Sequence, residues 1–232
     1  MADARTLGIV GGIAPASTVD YYRSIIAIWR EQRADDTYPS IVITSVDLSR
    51  LVELVTANRL GELAEWLVSE VERLARAGAD VGLLASNTPH IVFDEVARAS
   101  PIPLLSIVEA AADAAAAMEL RTVGLLGTRY TMQGRFYPDA FARRGIQVLP
   151  PAPDDRVYVH DRYMDELIVD RFTAATRRGF LSVIDRLREA GAEAVLLAGT
   201  ELPILLRDTE TSLPVLDTTR IHVRRAVAEL LS

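Results

Sequence analysis

The chain has 232 residues, of which 50% are hydrophobic and 25% are charged, a composition typical of a folded protein of one or two domains. It contains no cysteine and no lysine, which excludes disulfides, thiolate catalysis, cysteine metal sites and a pyridoxal phosphate Schiff base. The net charge of −7 and the lack of a basic stripe argue against nucleic acid as a partner.

The apolar runs are short and broken by charges. None approaches the ~18–20 residues that a membrane span needs. The segment from Met1 to Arg5 has neither a basic start nor a cleavage-like sequence. We therefore expect no membrane span, no signal peptide and a cytoplasmic protein.

The first half of the chain alternates apolar runs of strand length with helical patterns. Pro15 is followed by Ser17-x-x-Asp20, which resembles a helix start. Leucines and valines over Leu60–Leu74 step by three and four and so share one helix face, and Gly78 would end that helix as a cap. The predicted strands are Leu7–Val10, Ser40–Val46, Val81–Ala85 and Pro103–Ile107.

The second half repeats this alternation, with a helix predicted over Phe180–Ala190. The predicted strands are Val123–Leu126, Gln147–Leu149, Val195–Ala198 and Val215–Leu216. Three segments of the first half also recur in the second at nearly one offset: Glu72–Ala85 as Asp185–Ala198, Arg5–Gly11 as Arg121–Gly127, and Pro103–Ser106 as Pro214–Asp217. The sequence therefore predicts an α/β fold of two similar, pseudo-twofold related domains, each a parallel sheet with helices on both faces.

Ligands of open parallel sheets bind outside the carboxyl ends of the strands. Three of the predicted strand ends combine short polar side chains with the start of a helix, an arrangement that suits a carboxylate and favours a small anionic ligand. If the halves pack as pseudo-twofold mates, Ser86 and Gly199 face each other across one cleft. The segments at the strand ends are Gly11–Pro15, Ser45–Asp47, Ser86–His90, Gly127–Thr131 and Gly199–Glu201.

Other site types have weaker support. Gly11-Gly12 departs from the Gly-x-Gly-x-x-Gly pattern of dinucleotide sites, and a tight turn accounts for it. His90, His160 and His222 lack the helical spacing of metal ligands, so we expect no metal site. No Gly-x-Ser-x-Gly elbow surrounds Ser86, which disfavours a serine hydrolase.

Taken together, these segments resemble the aspartate/glutamate racemase family, the pyridoxal-independent amino-acid racemases. Members carry a Gly-Gly-Met-Gly-Pro turn, a Cys-Asn-Thr segment, a Gly-Thr segment, a Cys-Thr-Glu segment and a C-terminal Asp-Thr-Thr-x-x-His stretch. The matching segments span the chain in the same order, and His160–Leu167 also resembles the family's linker. They read here Gly11–Pro15, Ser86–His90, Gly127–Thr131, Gly199–Pro203 and Asp217–His222.

The resemblance implies a site in which two cysteines exchange protons with opposite faces of the substrate α-carbon. Ser86 stands at the first cysteine position and Gly199 at the second. A serine hydroxyl is a poor resting base and glycine has no group that transfers a proton, so the two-thiol racemization is excluded. The catalytic candidates are therefore Ser86, Thr200 and the position of Gly199, where the second base is missing.

The resemblance further implies that the carboxylate-binding frame survives. Within it Asn87, Thr88, Thr128 and Thr200 would hold a carboxylate or an enediolate-like charge, and Glu201 would orient the second loop. The full set of expected substrate-binding residues is Gly12, Ser45, Asn87, Thr88, Thr128, Thr131 and Glu201, with Arg129 and Arg171 as partners for a distal carboxylate.

By the same resemblance we expect residues 1–104 with 217–232 to form one domain and residues 105–216 the other, with the active-site cleft between them. We expect a homodimer, no cofactor, and a small carboxylate-bearing substrate.

Three interpretations stay open from sequence. The protein is an active enzyme with altered chemistry (elimination, decarboxylation or one-sided proton transfer), a binding protein that lost catalysis, or a cysteine-replaced racemase variant. In the first, loss of the side chain at Gly199 would leave space for water or a bulkier substrate. Replacing both Ser86 and Gly199 by cysteine would then restore racemization.

Overall fold

A computed structural model describes residues 5–33 and 35–232. The described chain divides into two compact units, one running up to Ile107 and including His222–Ser232, the other comprising Val108–Ile221. Residues 1–4, on which the expectation of no signal peptide largely depends, lie outside the described part. None of the described helices is both long and apolar enough to cross a membrane.

The first unit contains four parallel strands in the order β2-β1-β3-β4. Its apolar core gathers residues of β1, α1 and β3 and one face of the C-terminal helix α11 (Thr218–Leu231). The elements are β1 (Thr6–Gly11), α1 (Pro15–Gln32), β2 (Ser40–Ser45), α2 (Leu48–Thr56), α3 (Leu60–Arg76), β3 (Val81–Leu84), a 3-10 turn (Thr88–Val92), α4 (Phe93–Ala99) and β4 (Leu104–Leu105).

The second unit repeats that topology, with four parallel strands in the order β6-β5-β7-β8. Its core packs residues of α8 and α9 against β5 and β7. The elements are α5 (Ile107–Ala117), β5 (Thr122–Gly127), α6 (Arg129–Gln133), α7 (Phe136–Ala142), β6 (Gln147–Leu149), α8 (Pro153–Asp165), a 3-10 turn (Leu167–Val169), α9 (Ala174–Glu189), β7 (Ala194–Ala198), α10 (Leu202–Leu205) and β8 (Val215–Asp217). Helix α11 follows β8, and its residues from His222 onward belong to the first unit.

Glycines at matching places explain why the two halves share one packing. A Cβ on Gly8 of β1 would lie 3.1 Å from Leu74 Cβ of α3, and a Cβ on Gly124 of β5 would lie 3.3 Å from Leu187 Cβ of α9. Each glycine therefore lets the helix approach its sheet closely. The duplicated α/β architecture predicted from the sequence is confirmed.

One local prediction is wrong in detail. Helix α1 begins at Pro15, with Ala14 at the N-cap and no side-chain cap. Ser17 therefore lies inside the helix, where its hydroxyl donates to the Ala85 carbonyl at 3.2 Å. The proline accounts for the early start, because its fixed φ suits the first helical turn and its missing N–H costs nothing there.

Candidate active site

The Gly11-Gly12 turn is the tight turn that the sequence favours. Gly12 has a φ of 84°, and its N–H donates to the Thr18 hydroxyl at 2.8 Å. A Cβ at Gly12 would collide with the backbone of Val46 and lie 2.8 Å from Ser45 Oγ. The structure thus brings two predicted site residues, Gly12 and Ser45, together at the carboxyl ends of β1 and β2.

The Ser86 loop follows β3 and is stabilised by a hydrogen bond to the His90 ring. Ser86 and Asn87 are buried, whereas Thr88 is half-buried at the start of the 3-10 turn. The ring of His90 hydrogen-bonds the Ser86 carbonyl through Nδ1 at 2.9 Å and accepts from the Ile107 N–H through Nε2 at 3.2 Å. Since a carbonyl only accepts, His90 carries its proton on Nδ1 and neither ring nitrogen is left to serve Ser86.

A second buried histidine, His222, is likewise hydrogen-bonded at both ring nitrogens. His222 Nε2 donates to the Leu105 carbonyl at 3.0 Å, and its Nδ1 accepts from the Tyr21 hydroxyl at 3.0 Å. Burial lowers the pKa of His90 to about 3, with the charge of His222 as the next cause, and burial lowers the pKa of His222 to about 4. Both rings are therefore neutral at pH 7 and act as structural supports.

In the second unit, Thr128 follows β5 as the N-cap residue of α6. Thr128 and Thr131 are both buried, and their hydroxyl oxygens lie 3.4 Å apart. The Thr128 carbonyl accepts the Thr131 N–H at 3.0 Å. The structure therefore brings these two predicted binding residues together at the carboxyl end of β5.

The Gly199 loop, which follows β7, contains a buried carboxyl group. Glu201 Oε2 accepts from the Thr200 hydroxyl at 2.9 Å and from the Tyr163 hydroxyl of α8. If the Tyr163 phenol is ionised, the Thr200 hydroxyl can donate to it instead, which lowers the pKa of the phenol. Within the described chain, Glu201 Oε1 is buried without a hydrogen-bond partner. Two hydroxyl groups and a carboxyl group thus converge directly beside residue 199.

Burial shifts both ionisable groups of this cluster toward their neutral forms. It raises the pKa of the Glu201 carboxyl, an effect that the bonds from Tyr163 and Thr200 partly oppose. Burial also raises the pKa of the Tyr163 phenol well above its usual value, and the adjacent Glu201 charge adds to that rise. A carboxylate with a raised pKa is a stronger base than a solvated one, whereas a free phenolate is disfavoured here.

The space beside Gly199, where the family has its second cysteine side chain, is occupied by another residue. A Cβ built on Gly199 would lie 2.5 Å from Tyr163 Cε2, 2.7 Å from its hydroxyl oxygen and 3.0 Å from its Cζ. The expectation that loss of this side chain leaves room for water or a bulkier substrate is therefore wrong. The aromatic ring of Tyr163 takes that volume.

The two arginines expected to meet a distal carboxylate differ in their surroundings. Arg129 stacks over the Tyr130 ring, and its backbone N–H donates to His160 Nδ1 at 3.3 Å. It lines a cavity of about 320 Å³ together with Gln133, Pro153, Arg156, Val157, His160 and Asp161. Arg171 is exposed, and its charge helps to lower the pKa of Glu166. Only Arg129 lies at a described cavity.

The sequence of residues 10–226 matches the model of the Asp/Glu/hydantoin racemase family. The chain belongs to the Asp/Glu/hydantoin racemase family. The match extends over both units, so the family resemblance seen in the sequence motifs is confirmed.

Individual members of the racemase family are similar along their whole length. A candidate Asp/Glu racemase from Yersinia pestis is 32% identical, with a TM-score of 0.90 over 98% of this chain and 100% of that one. An aspartate racemase homologue from Pyrococcus horikoshii is 31% identical, with a TM-score of 0.84 and the same coverage. The broad specificity amino-acid racemase RacX of Bacillus subtilis is 20% identical over 97% of this chain and 98% of its own.

Sequence reasoning missed Tyr163. It lies in α8 among apolar neighbours, and a tyrosine in such a helix indicates a core residue. The one available signal was the glycine at residue 199 itself, because a side chain missing from a buried loop must be replaced by another group if the interior is to stay packed.

Proposed function

We propose that this racemase-family protein binds a small α-substituted carboxylate, such as an amino acid, and moves a proton at its α-carbon on one face only. The reaction uses neither a thiol nor a cofactor. A chain without cysteine cannot use two thiols, and a chain without lysine cannot bind pyridoxal phosphate as a Schiff base.

The proposal of a carboxylate ligand is supported by polar groups in a buried setting. Asn87, Thr128 and Thr200 each follow the carboxyl end of a strand and are at least nine-tenths buried. Their amide and hydroxyl groups are donors that a carboxylate oxygen can accept from, so they favour an anionic ligand at these loops. Family membership points to amino acids and related acids.

One observation carries the proposal of one-sided chemistry: acid–base capacity differs between the two loops that hold cysteine in the family. Beside Ser86 the nearest titratable ring is His90, which is neutral and hydrogen-bonded at both nitrogens. Beside Gly199 lies the buried Glu201 carboxyl with a raised pKa. Proton transfer needs a base whose pKa is tuned toward the working pH, and only the Gly199 loop supplies one.

The joint use of both loops around one ligand, and the homodimer, stay predictions. If both loops hold one ligand, Ser86 would bind it through its hydroxyl, which would contact the carboxylate and not the α-hydrogen.

The test is hydrogen exchange at the α-carbon in D2O, followed by NMR for both enantiomers of aspartate, glutamate and alanine. We expect at least one enantiomer to exchange its α-hydrogen faster than it inverts. Inversion of both enantiomers as fast as exchange would contradict one-sided transfer. Ligand binding without exchange would support a binding protein that has lost catalysis.

A further inference from the structure

The volume that belongs to the second proton-transfer side chain in the family is occupied here by a tyrosine from another element. The Tyr163 hydroxyl oxygen would lie only 2.7 Å from a Cβ at residue 199. A side chain at residue 199 would therefore collide with the Tyr163 ring and hydroxyl. The phenol also donates a hydrogen bond to Glu201, whose other carboxyl oxygen is without a partner in the described chain.

We propose that Tyr163 is the catalytic residue of this enzyme, acting on the Gly199 side as the group that contacts the substrate α-hydrogen, with Glu201 as the base behind it. This inference rests on the proposed function and names the atoms that perform it. It assigns a role to a residue of α8 that lies within the linker-like segment His160–Leu167 and outside the strand-end motifs.

The step balances as a relay. The substrate Cα–H bond breaks and its proton passes to the Tyr163 oxygen while the phenolic proton passes to Glu201 Oε2. Tyr163 stays neutral, Glu201 becomes a carboxylic acid, and the negative charge moves onto the substrate carboxylate as an enediolate. The reverse relay returns a proton to the same face. After the first step the Tyr163 hydroxyl holds the former α-hydrogen, and in D2O both this hydrogen and the proton on Glu201 exchange with solvent before the relay reverses, so deuterium appears at the α-carbon with retention.

Two physical features favour a relay over a free phenolate. Burial and the adjacent carboxylate raise the pKa of Tyr163, so a standing phenolate is unfavourable. The raised pKa of Glu201 makes its carboxylate a stronger base than a solvated carboxylate. The hydrogen bond between them already aligns the second proton. Tyr163 therefore needs no separate ionisation before the α-hydrogen is removed.

Thr200 has a supporting place in this cluster. Its hydroxyl donates at 2.9 Å to the same Glu201 oxygen that accepts from the phenol. It is a positioning residue that keeps the carboxylate facing Tyr163. A hydroxyl of ordinary alcohol acidity, with a buried carboxylate next to it, does not itself replace the phenol as the proton carrier.

The experiment compares Tyr163→Phe with Tyr158→Phe, a matched tyrosine on the same helix whose hydroxyl packs beside Gly179. Phenylalanine keeps the ring that fills the space at Gly199 and removes only the oxygen. In Tyr163→Phe we expect α-hydrogen exchange in D2O to fall at least about 100-fold, with ligand affinity changed less than about threefold. Tyr158→Phe should keep the wild-type rate, and circular dichroism should show both variants folded.

A second variant, Glu201→Gln, keeps the volume and removes the base. We expect it also to lose exchange, and the wild-type rise of the rate with pH should disappear. Wild-type exchange that persists in Tyr163→Phe but is lost in Glu201→Gln would overturn the role of Tyr163 and leave the proposed function intact. An absence of exchange in the wild-type protein with every amino acid tested would reject the proposed function itself and this inference with it.

Discussion

Tyr163 and the backbone of Gly199 are in contact in a way that leaves no room for any larger residue at position 199. A Cβ there would approach Tyr163 Cε2 to 2.5 Å, which is shorter than real Cβ contacts allow. The absence of a side chain at residue 199 and the presence of a ring at residue 163 are therefore two aspects of one packing solution.

Gly199→Ala tests this contact directly. The added methyl group must displace a buried ring, so the free energy of unfolding should fall by about 1–3 kcal/mol, and exchange activity should fall with it. Gly61→Ala is the control, since a Cβ there meets nothing within 4 Å and lies in helix α3. Urea unfolding should show that variant unchanged or slightly stabilised. Equal stability of both variants would contradict the close contact.

Restoring two-thiol racemization requires a substitution of Tyr163 in addition to the two cysteines. Cysteines at residues 86 and 199 alone, the change that the sequence suggested, would force the new thiol against the Tyr163 ring. We expect racemization only when Tyr163→Ala accompanies Ser86→Cys and Gly199→Cys. Chiral chromatography of aspartate and glutamate would measure it, with the triple variant exceeding the double variant at least about tenfold. Equal rates in the two would show that the ring moves aside freely.

The sequence was a good guide to the sheets because their strands are short, buried apolar runs bounded by turns. Every predicted strand lies within two residues of its observed limits, and Gly78 and Gly191 end their helices with positive φ. Helix α9 was predicted too short. It begins at Ala174 because the Thr173 hydroxyl caps it by accepting from the Thr176 N–H at 3.0 Å, and its first turns carry no apolar pattern.

The site was predictable where it follows strand ends and hidden where it depends on packing across elements. Ser86, Thr128 and Glu201 could be located from their motifs. Tyr163 could not, because 38 positions separate it from Glu201 and only the folded chain brings the phenol to the carboxyl group. The supporting role of His90 was hidden for the same reason, since it depends on the Ile107 N–H.

Acid should destabilise the protein through its two buried histidines. In the unfolded chain a histidine has a pKa of about 6.5, whereas in the fold His90 titrates at about 3 and His222 at about 4. Between these values the unfolded state binds more protons, so stability falls as pH falls. From pH 7.5 to 5.5 we expect a loss of about 1.4 kcal/mol for each histidine.

Urea unfolding at the two pH values would check this, with His222→Gln as the informative variant. Its amide can accept from Tyr21 and donate to the Leu105 carbonyl as the ring does. The pH-dependent loss should then shrink by about half. An unchanged loss would mean that other groups dominate the acid sensitivity.

Arg129 should decide whether the site prefers dicarboxylic substrates. Its cavity of about 320 Å³ is also lined by Arg156, whose Nε has no hydrogen-bond partner within the described chain, so two guanidinium groups border a space that a carboxylate can enter. A charge-assisted hydrogen bond contributes about 1.5–3 kcal/mol, which corresponds to roughly a 10- to 100-fold change in affinity. Arg129→Ala should therefore weaken the binding of aspartate and glutamate by at least about tenfold in calorimetric titrations and leave the binding of alanine unchanged.

Arg171→Ala is the control. It should not alter the preference for dicarboxylic substrates, because Arg171 is exposed and its charge acts on Glu166. The opposite pattern, with Arg171 setting the preference, would place the distal carboxylate near the 3-10 turn Leu167–Val169 and leave the Arg129 cavity without a role in substrate choice.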